Sequence, residues 1–374
     1  MPPHARRTTL ATIARAAGVS VATVSKVVND RSDVAPQTRA RVQELLRQHD
    51  YLAPVFRHTE PAKNPTIEVQ FNGDLKTYSA EALEGIIDAA AELGASVVIS
   101  KSAPPAPHWA RDLVSAGRRA LIAVTSMYTA AHVKELARAG LPLVVLDPLH
   151  LPHSRIHSVG ATNFAGGLAA TEHLIRLGHR RIGYLGGPAM AVCNQARMHG
   201  YRAALEAAGA PTPAAYVRHG AFTHQAGLLG AAALLGLDEP PTAIFTGNDE
   251  IALGAIEAAR TRGLRIPEEL SVVGFDDTLL ARMASPSLTT VHQPLREMGG
   301  VALRTALRLA NGERTESHHI ELATELVVRA STAPPVEEAP ARTRARSRTA
   351  RIREVPAADS PAPSPRCDGR AEEA

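Results

Sequence analysis

The sequence predicts an α/β fold of two doubly wound parallel-sheet lobes, preceded by a small all-α domain. The first observation is that short apolar runs alternate with helical stretches from Thr66 onward, in two successive series. Strands and helices that alternate at this spacing are typical of βαβ units, whose strands are parallel. The second observation is that two short helical patterns, separated only by a turn around Gly18, occupy the amino-terminal end. The third is that no apolar run reaches about 18 residues, so we expect no membrane span.

Two short helices and a turn begin the chain. Leu10, Ile13 and Ala14 recur at helical spacing, Gly18 then breaks the pattern, and Ser20 can cap a second helix. A serine suits this cap because its hydroxyl accepts a free backbone N–H of the first turn. The pattern predicts a helix-turn-helix, whose second helix fits a DNA major groove; a purely structural helical hairpin is the alternative.

A third helix completes the amino-terminal module. Pro36 can open it, because the missing N–H of proline costs nothing at the first helical position. Val42 and Leu45 would face inward and meet Val24 and Val27 of the second helix. We therefore expect three small helices around one apolar core.

The predicted domain organisation follows changes in composition. Three prolines interrupt the segment after the helices, and the carboxyl end is rich in Pro, Ala and Arg and poor in apolar residues. The predicted parts are a helix-turn-helix domain (1–52), a linker (53–65), a first lobe (66–160 and 291–322), a second lobe (161–290 and 323–333) and a disordered tail (334–374). Ligands of doubly wound folds bind at the carboxyl ends of strands, here in the cleft between the lobes.

The elements of the two lobes are predicted from apolar runs and helical periodicity. The predicted strands are TIEVQF, SVVIS, ALIAV and LVVLD in the first lobe and RIGYLG, TAIFT and SVVGFD in the second. The predicted helices are Ala80–Leu93, Ala130–Ala139, Asn163–Leu177, Ala196–Ala208, Gln225–Leu235 and Glu250–Arg262. A glycine follows most of these helices, where a left-handed conformation suits a C-cap: Gly94, Gly140, Gly178, Gly209 and Gly263.

Charge and cysteine content narrow the class of protein. The net charge is +4, and residues 1–60 alone hold nine basic and five acidic side chains. The positive excess therefore belongs to the amino-terminal module, where it would neutralise DNA phosphates. The amino terminus lacks the apolar segment of a secretory signal. Cys193 and Cys367 form neither a disulfide framework nor a metal-ligand spacing, so we expect a cytoplasmic protein without metal or cofactor.

A gapless set of residues carries a family resemblance: Ala14, Ala17-Gly18-Val19-Ser20, Thr23-Val24-Ser25 and Val27-Val28-Asn29. It resembles the amino-terminal signature of the LacI/GalR family of transcription regulators. Downstream landmarks such as Asn248-Asp249 and Gln293-Pro294 extend the resemblance over roughly residues 8–333. It implies a core similar to periplasmic sugar-binding proteins, and a dimeric repressor that binds a pseudo-palindromic operator in double-stranded DNA under control of a small effector.

The second helix carries the expected DNA contacts. Val21 and Ala22 offer apolar contacts, such as with a thymine methyl, and Lys26 can reach guanine O6 and N7. Ser25 and Asn29 would lie near the phosphates. The complete set of predicted DNA-binding residues is Thr9, Ser20, Val21, Ala22, Thr23, Ser25, Lys26 and Asn29.

The expected ligand contacts follow strands of the two lobes. Asp276 ends SVVGFD, Asn248 follows TAIFT, and Arg197 comes after the loop that follows RIGYLG. A carboxylate, an amide and a guanidinium fork can hold pairs of sugar hydroxyls. Phe222 could stack on the apolar face of a pyranose or a base. The resemblance places these four at ligand-contact positions of the family; Tyr78, on the loop after the first strand, is a further candidate.

The linker departs from the family pattern. Most members continue with a short hinge helix whose leucine wedges into the minor groove and kinks the site. Here the matching position falls near Glu60, which phosphates would repel; Val55 or Phe56 would have to substitute, or the hinge docks differently.

Other effectors and other classes of protein fit the sequence less well. The leading effector is a mono- or oligosaccharide, and a nucleobase or nucleoside is the alternative. A cytoplasmic solute-binding module would not need the helix-turn-helix. An enzyme is not expected, because the sequence has no GxSxG elbow, no P-loop and no GxGxxG that opens a helix.

Overall fold

The computed structural model describes residues 9–28, 33–49, 64–101, 108–150 and 155–336. The amino-terminal domain consists of α1 (Leu10–Ala17), α2 (Val21–Val28) and α3 (Pro36–Gln48). Its core contains Ile13, Ala14, Ala17, Val24, Val27, Val34 and Val42, all buried. Asn29, Val55, Phe56, Glu60 and Cys367 lie outside the described residues, as do most of the predicted linker and nearly all of the predicted tail.

The first lobe is built on a six-stranded parallel sheet in the order β11-β5-β4-β3-β1-β2. Its elements up to the first crossover are β1 (Thr66–Phe71), α4 (Thr77–Leu93), β2 (Ser96–Lys101), α5 (Trp109–Ser115), β3 (Arg118–Val124), α6 (Ala130–Ala139), β4 (Leu143–Leu146) and β5 (His157–Ala161). After the second lobe, α12 (Leu295–Ala310) and β11 (His319–Leu322) return to it. Helices α4 and α12 cover one face of the sheet, and α5 and α6 cover the other.

The second lobe repeats this plan with strand order β12-β10-β9-β8-β6-β7, in which only β12 is antiparallel to its neighbour. Its elements are α7 (Asn163–Arg176), β6 (Ile182–Gly186), α8 (Val192–Ala207), a 3-10 turn (Ala214–Tyr216), β7 (Val217–His219), α9 (His224–Leu234), β8 (Ala243–Thr246), α10 (Asp249–Thr261), β9 (Ser271–Asp276), α11 (Leu279–Met283), β10 (Thr289–His292) and β12 (Glu325–Val327). The predicted fold class of two doubly wound lobes behind a helical domain is confirmed.

Several predicted bounds are corrected. Helix α4 begins at Thr77, and α8 begins at Val192 rather than at Ala196, because apolar periodicity marks the buried part of a helix and not its first turn. Helix α12 was not predicted, since its Gly299-Gly300 pair lowers helix propensity. The predicted lobe boundary at 290/291 falls inside β10, and the chain leaves the second sheet only after His292. The five glycines predicted as C-caps all have positive φ.

Glycines bring three pairs of helices into backbone contact. A Cβ on Gly167 of α7 would lie 2.9 Å from Cα of Arg197 in α8, and one on Gly200 of α8 would meet the carbonyl of Phe164. Glycines make equivalent contacts between α9 and α10 (Gly227, Gly254) and between α4 and α12 (Gly85, Gly299). No larger side chain fits these positions without a shift of backbone.

The chain crosses between the two lobes after β5, after β10 and after β11. The first and third crossovers lie side by side, because the Thr324 backbone N–H donates to Thr162 Oγ1 (3.0 Å) and the two hydroxyls are 3.0 Å apart. Gln293 lies in the second crossover.

Among the described residues, no single helix is long and apolar enough to cross a membrane. Helices α1 and α2 reach that length and composition only when taken together, and they are bent by 107°.

Candidate functional site

The turn between α1 and α2 has the predicted geometry. Gly18 adopts φ 68° and its N–H bonds back to α1. Ser20 Oγ accepts the backbone N–H of Thr23 at 3.0 Å, which confirms the predicted cap at the start of α2. Thr9 caps α1 in the same way, by accepting the N–H of Thr12 (3.3 Å).

Helix α2 presents two different faces. Val24 and Val27 are buried in the domain core, whereas Val21, Ala22 and Lys26 are exposed. Thr23 and Ser25 are partly exposed. The exposed face is therefore the one on which the sequence predicts base contacts. An ion pair that was not predicted joins Lys26 Nζ to Asp33 Oδ2 at 2.6 Å.

A cavity of about 270 Å³ lies between the carboxyl ends of the strands of the two lobes. All five predicted ligand contacts line it: Tyr78, Arg197, Phe222, Asn248 and Asp276. Four come from the second lobe and one from the first. Tyr78 lies in the first turn of α4 rather than on a loop, and Arg197 lies inside α8. The structure thus brings together residues that are up to 198 positions apart.

Arg197 is the buried cation of the cavity. Its Nε–H donates to Asn163 Oδ1 at 2.7 Å, and Nη1 donates to the carbonyl of Gly247. The guanidinium lies 3.8 Å above the centroid of the Phe275 ring and 3.8 Å from a carboxylate oxygen of Asp276. An arginine held by fixed partners presents its remaining donors in a defined direction.

Asp276 and Asn248 line the cavity and also form hydrogen bonds within the protein. Gln293 Nε2 donates to Asp276 Oδ1 at 2.6 Å. Burial raises the pKa of Asp276 well above its usual value, and Arg197 opposes that rise. Asn248 Oδ1 caps α10 by accepting the N–H of Ile251 at 2.9 Å. Its Nδ2 group has no hydrogen-bond partner among the described residues, which leaves a donor at the cavity wall.

Asp147, at the end of β4, is a cavity residue that sequence reasoning missed. Its Oδ2 accepts the hydroxyl of Tyr78 at 2.8 Å. Burial and this carboxylate raise the pKa of Tyr78 well above its usual value. The signal was present in the sequence, because LVVLD ends in a carboxylate just as SVVGFD does.

Three lining residues adopt left-handed backbone conformations: Thr125 (φ 47°), Asp147 (φ 46°) and Asp276 (φ 110°). Such conformations cost about 1–3 kcal/mol each in residues with a Cβ and concentrate at binding sites. The surrounding structure therefore stabilises, at these three strand ends, backbone conformations that are unfavourable on their own.

Polar contacts between the lobes lie at the cavity lining and on nearby elements. Lys76 Nζ lies 2.6 Å from Glu250 Oε2, and the backbone N–H of Leu279 donates to Glu81 Oε1 at 3.2 Å. Phe222 forms part of the wall, with its ring against the backbone of Gly187. The ion pair and the Leu279–Glu81 hydrogen bond join α4 and the residue before it to α10 and α11 of the second lobe.

Cys193 lines the cavity, whereas three histidines lie in or beside β5 and β11 of the first lobe. Cys193 is buried, and burial raises the pKa of its thiol to about 12. His318 stacks on His157, and His319 Nδ1 lies 2.9 Å from Ser158 Oγ. In the part of the chain that the structure describes, no group of three or more His, Cys, Asp or Glu residues could hold a metal ion.

Two protein families match separate parts of the chain, one at the amino-terminal helices and one within the two lobes. Residues 9–53 match the family model of bacterial regulatory proteins, lacI family, and residues 171–332 match that of a periplasmic binding protein-like domain. Catabolite control protein A of Priestia megaterium is 33% identical over 329 residues, which cover 87% of this chain and 99% of that protein. The chain belongs to the LacI family.

Solved structures of LacI-family regulators match the whole arrangement. A complex of the transcriptional regulator CelR with cellobiose has a TM-score of 0.68 at 31% identity and covers 87% of this chain and 100% of that one. A lac repressor dimer bound to operator and the anti-inducer ONPF has a TM-score of 0.65 at 29% identity, with 88% and 100% covered. These relatives are transcription regulators rather than enzymes. This LacI-family chain is accordingly a DNA-binding transcription regulator.

Proposed function

We propose that this LacI-family regulator is a repressor whose affinity for its operator is controlled by a sugar bound between the lobes. One observation carries the proposal: Arg197, Asn248, Asp276 and Phe222 converge with Tyr78 on a single inter-lobe cavity. The cellobiose found in the CelR complex supports a carbohydrate as the effector class. The effector would be a mono- or oligosaccharide, and the protein would act in the bacterial cytoplasm on the nucleoid.

The chemistry of the cavity suits a polyol. Asp276 accepts hydrogen bonds, the free Nδ2 of Asn248 donates them, and the guanidinium of Arg197 donates in a fixed fork. Phe222 supplies an aromatic wall for the apolar face of a pyranose ring. Small ligand sites typically combine a few convergent polar groups with such a wall.

The DNA-binding function would be carried by α2. Val21, Ala22 and Lys26 would contact base edges, because they form the exposed face of the helix. Ser25 and Asn29 would lie near the phosphates, and the remaining proposed DNA contacts are Thr9, Ser20 and Thr23. Two such helices in a homodimer would bind the half-sites of a pseudo-palindrome. Lys26 would have to leave Asp33 to reach guanine.

Effector binding would be coupled to DNA binding through the arrangement of the lobes. A ligand that contacts Tyr78 in the first lobe and Arg197 in the second biases their relative position. The spacing of the two helix-turn-helix heads would change with it. A coupling of about 1–3 kcal/mol is typical of such linkage.

A thermal-unfolding screen tests the effector class. The purified protein would be tested against pentoses, hexoses, disaccharides, sugar phosphates and nucleobases. A ligand at about 100 times its dissociation constant stabilises the protein by roughly 2.7 kcal/mol. We expect a carbohydrate to shift the melting temperature, and Asp276→Ala to abolish the shift; a nucleoside hit without a carbohydrate hit would replace the proposed effector class.

A DNA-binding measurement tests the repressor. A duplex selected from random sequences by the protein would be titrated with and without the effector. The Lys26→Ala variant should lose sequence selectivity and keep ligand binding. Retained selectivity would refute the role proposed for Lys26, and turnover of the effector would refute the expectation that the protein is not an enzyme.

A nucleobase or nucleoside remains the second candidate. Phe222 in the cavity wall favours it, because an aromatic ring stacks on a planar base as well as on a sugar.

A further inference from the structure

Asp249 is a buried carboxylate that lies close to the inter-lobe cavity but not in its lining. It is the first residue of α10 and is 1% exposed. The preceding residue, Asn248, lines the cavity, whereas the Asp249 carboxylate lies against β9 and β10. Asp249 therefore does not contact an effector that binds in this cavity.

Three hydrogen bonds hold the side chain of Asp249. The backbone N–H and the hydroxyl of Thr278 donate to Oδ2 at 2.8 and 2.9 Å, and the hydroxyl of Thr290 in β10 donates to Oδ1 at 2.6 Å. Gly274 of β9 leaves room for the carboxylate, because a Cβ at this position would lie 2.5 Å from Oδ1. Asp249 thus joins the start of α10 to β10 and to the turn that follows β9.

The turn bonded to Asp249 is the one that presents Asp276 to the cavity. Asp276 ends β9, and Asp277 and Thr278 lead from it into α11. Asp276 (φ 110°) and Asp277 (φ 57°) both have left-handed backbone conformations. Residues with a Cβ keep such conformations only where the surrounding structure holds them. The hydrogen bonds to Asp249 hold Thr278, two residues after Asp276.

The start of α10 fixes two polar groups of the cavity in different ways. Asn248 lines the cavity itself, and Asp249 holds the turn of Asp276 from behind. Gln293 holds the other end of this turn, by donating to Asp276 at 2.6 Å. Loss of the bonds at Thr278 would therefore leave Asp276 with one anchor and free its backbone to relax.

We infer that Asp249 is a positioning residue of the effector site, which sets effector affinity by holding the turn that presents Asp276. The inference rests on the proposed sugar-responsive function and adds a residue to it. The two carboxylates also interact electrostatically, because Asp249 contributes to the raised pKa of Asp276, behind the larger effect of burial.

Hydrogen exchange in the absence of any sugar tests whether Asp249 holds the turn. Asp249→Asn keeps the shape of the side chain and replaces one of its two acceptor oxygens by a donor group. We expect the amides of residues 278–281 to exchange at least tenfold faster in this variant, while the amides of the first-lobe sheet keep their rates. Unchanged exchange at residues 278–281 would overturn the inference.

The affinity of a sugar tests the link between the turn and the site. Glucose, ribose and cellobiose are the probes, and the one that binds the wild type most tightly is titrated by calorimetry. Thr278→Val removes one hydroxyl donor to Asp249 and should weaken binding at least fivefold. Thr278→Ser keeps the hydroxyl and should recover most of the affinity. A role in packing alone predicts the reverse order, because valine keeps the branched shape that serine lacks, and that order would refute the inference.

Thr305→Val is the matched control. It removes a buried hydroxyl from α12 in the first lobe, where Thr305 Oγ1 donates to the carbonyl of Val301 at 2.8 Å. It should change neither the sugar affinity nor the exchange of residues 278–281. If none of the three sugars binds the wild type, the proposed function fails for them and the effect on affinity fails with it, while the exchange rates still decide whether Asp249 holds the turn.

Discussion

Replacing Gly167 by alanine should move Arg197 and weaken both the fold and the cavity. The added Cβ would lie 2.9 Å from Cα and from the carbonyl carbon of Arg197, and closer still to its oxygen. Ordinary contact begins at about 3.4 Å, so α8 must retreat by about 0.5 Å to clear these two carbons and by more than that to clear the carbonyl oxygen. The obstacle is backbone, which cannot rotate away as a side chain can.

The expected loss of stability follows from this overlap. Overpacking of a buried contact costs about 1–3 kcal/mol. At roughly 2–4 °C per kcal/mol for a domain of this size, the melting temperature should fall by about 2–12 °C. The ligand should also bind about tenfold more weakly, which is roughly 1.4 kcal/mol, because the donors of Arg197 move with the helix.

Gly300→Ala is a matched control. It makes the same substitution inside a helix, but the nearest atom to the new Cβ is the flexible guanidinium of Arg304 at 3.2 Å. It should be neutral or stabilising by about 0.5–1 kcal/mol, because alanine forms helix better than glycine. Urea unfolding and ligand titration of both variants check the prediction. A Gly167→Ala protein as stable as Gly300→Ala, with unchanged ligand affinity, would refute the reasoning.

Asp33→Asn should strengthen DNA binding about 1.4- to 5-fold, because it releases Lys26 from an exposed ion pair worth roughly 0.2–1 kcal/mol; fluorescence anisotropy on a selected duplex measures this, and equal affinity would contradict it. Glu250→Gln removes the inter-lobe pair with Lys76, so ligand dissociation in stopped-flow should quicken and lose its salt dependence; an unchanged salt response argues against a role for the pair in closure. Burial raises the pKa of Asp249 to about 7. Its contribution to stability is therefore complete below pH 4 and lost as the pH rises through 7. Asp249→Asn should flatten the pH dependence of unfolding between pH 4 and 7, and parallel profiles would rule this out.

The parts of the fold that sequence predicted are those with a local signal. Gly18 and Ser20 mark the turn because each acts on its own neighbouring backbone. Asn248 and Asp276 were placed at the cavity because each ends or follows an apolar strand, and parallel strands end at one edge.

The parts that were missed depend on contacts between distant segments. Helix α12 was not predicted; Gly299 lowers its helix propensity, yet that glycine admits the backbone of α4. Lys26 lies in α2 and Asp33 lies beyond its end, so the pair is not one of the i,i+3 or i,i+4 pairs that helical periodicity indicates. Asp147 carried the same strand-end signal as Asp276, but its place opposite the second lobe depends on how the two sheets face each other.

The interleaving of the lobes has a consequence for biosynthesis. The core of the first lobe joins Ile67 and Ile86 to Met298 and Leu303 of α12, which lie more than 200 residues later in the chain. On the ribosome this lobe must wait, with one face of its sheet and of α4 uncovered, until nearly all of the second lobe has emerged. The helix-turn-helix domain has no such dependence and can fold first, since domains generally fold as units during synthesis. A message truncated before Leu295 would therefore yield a helix-turn-helix domain and most of the second lobe, joined by a first lobe that lacks α12 and is prone to aggregate.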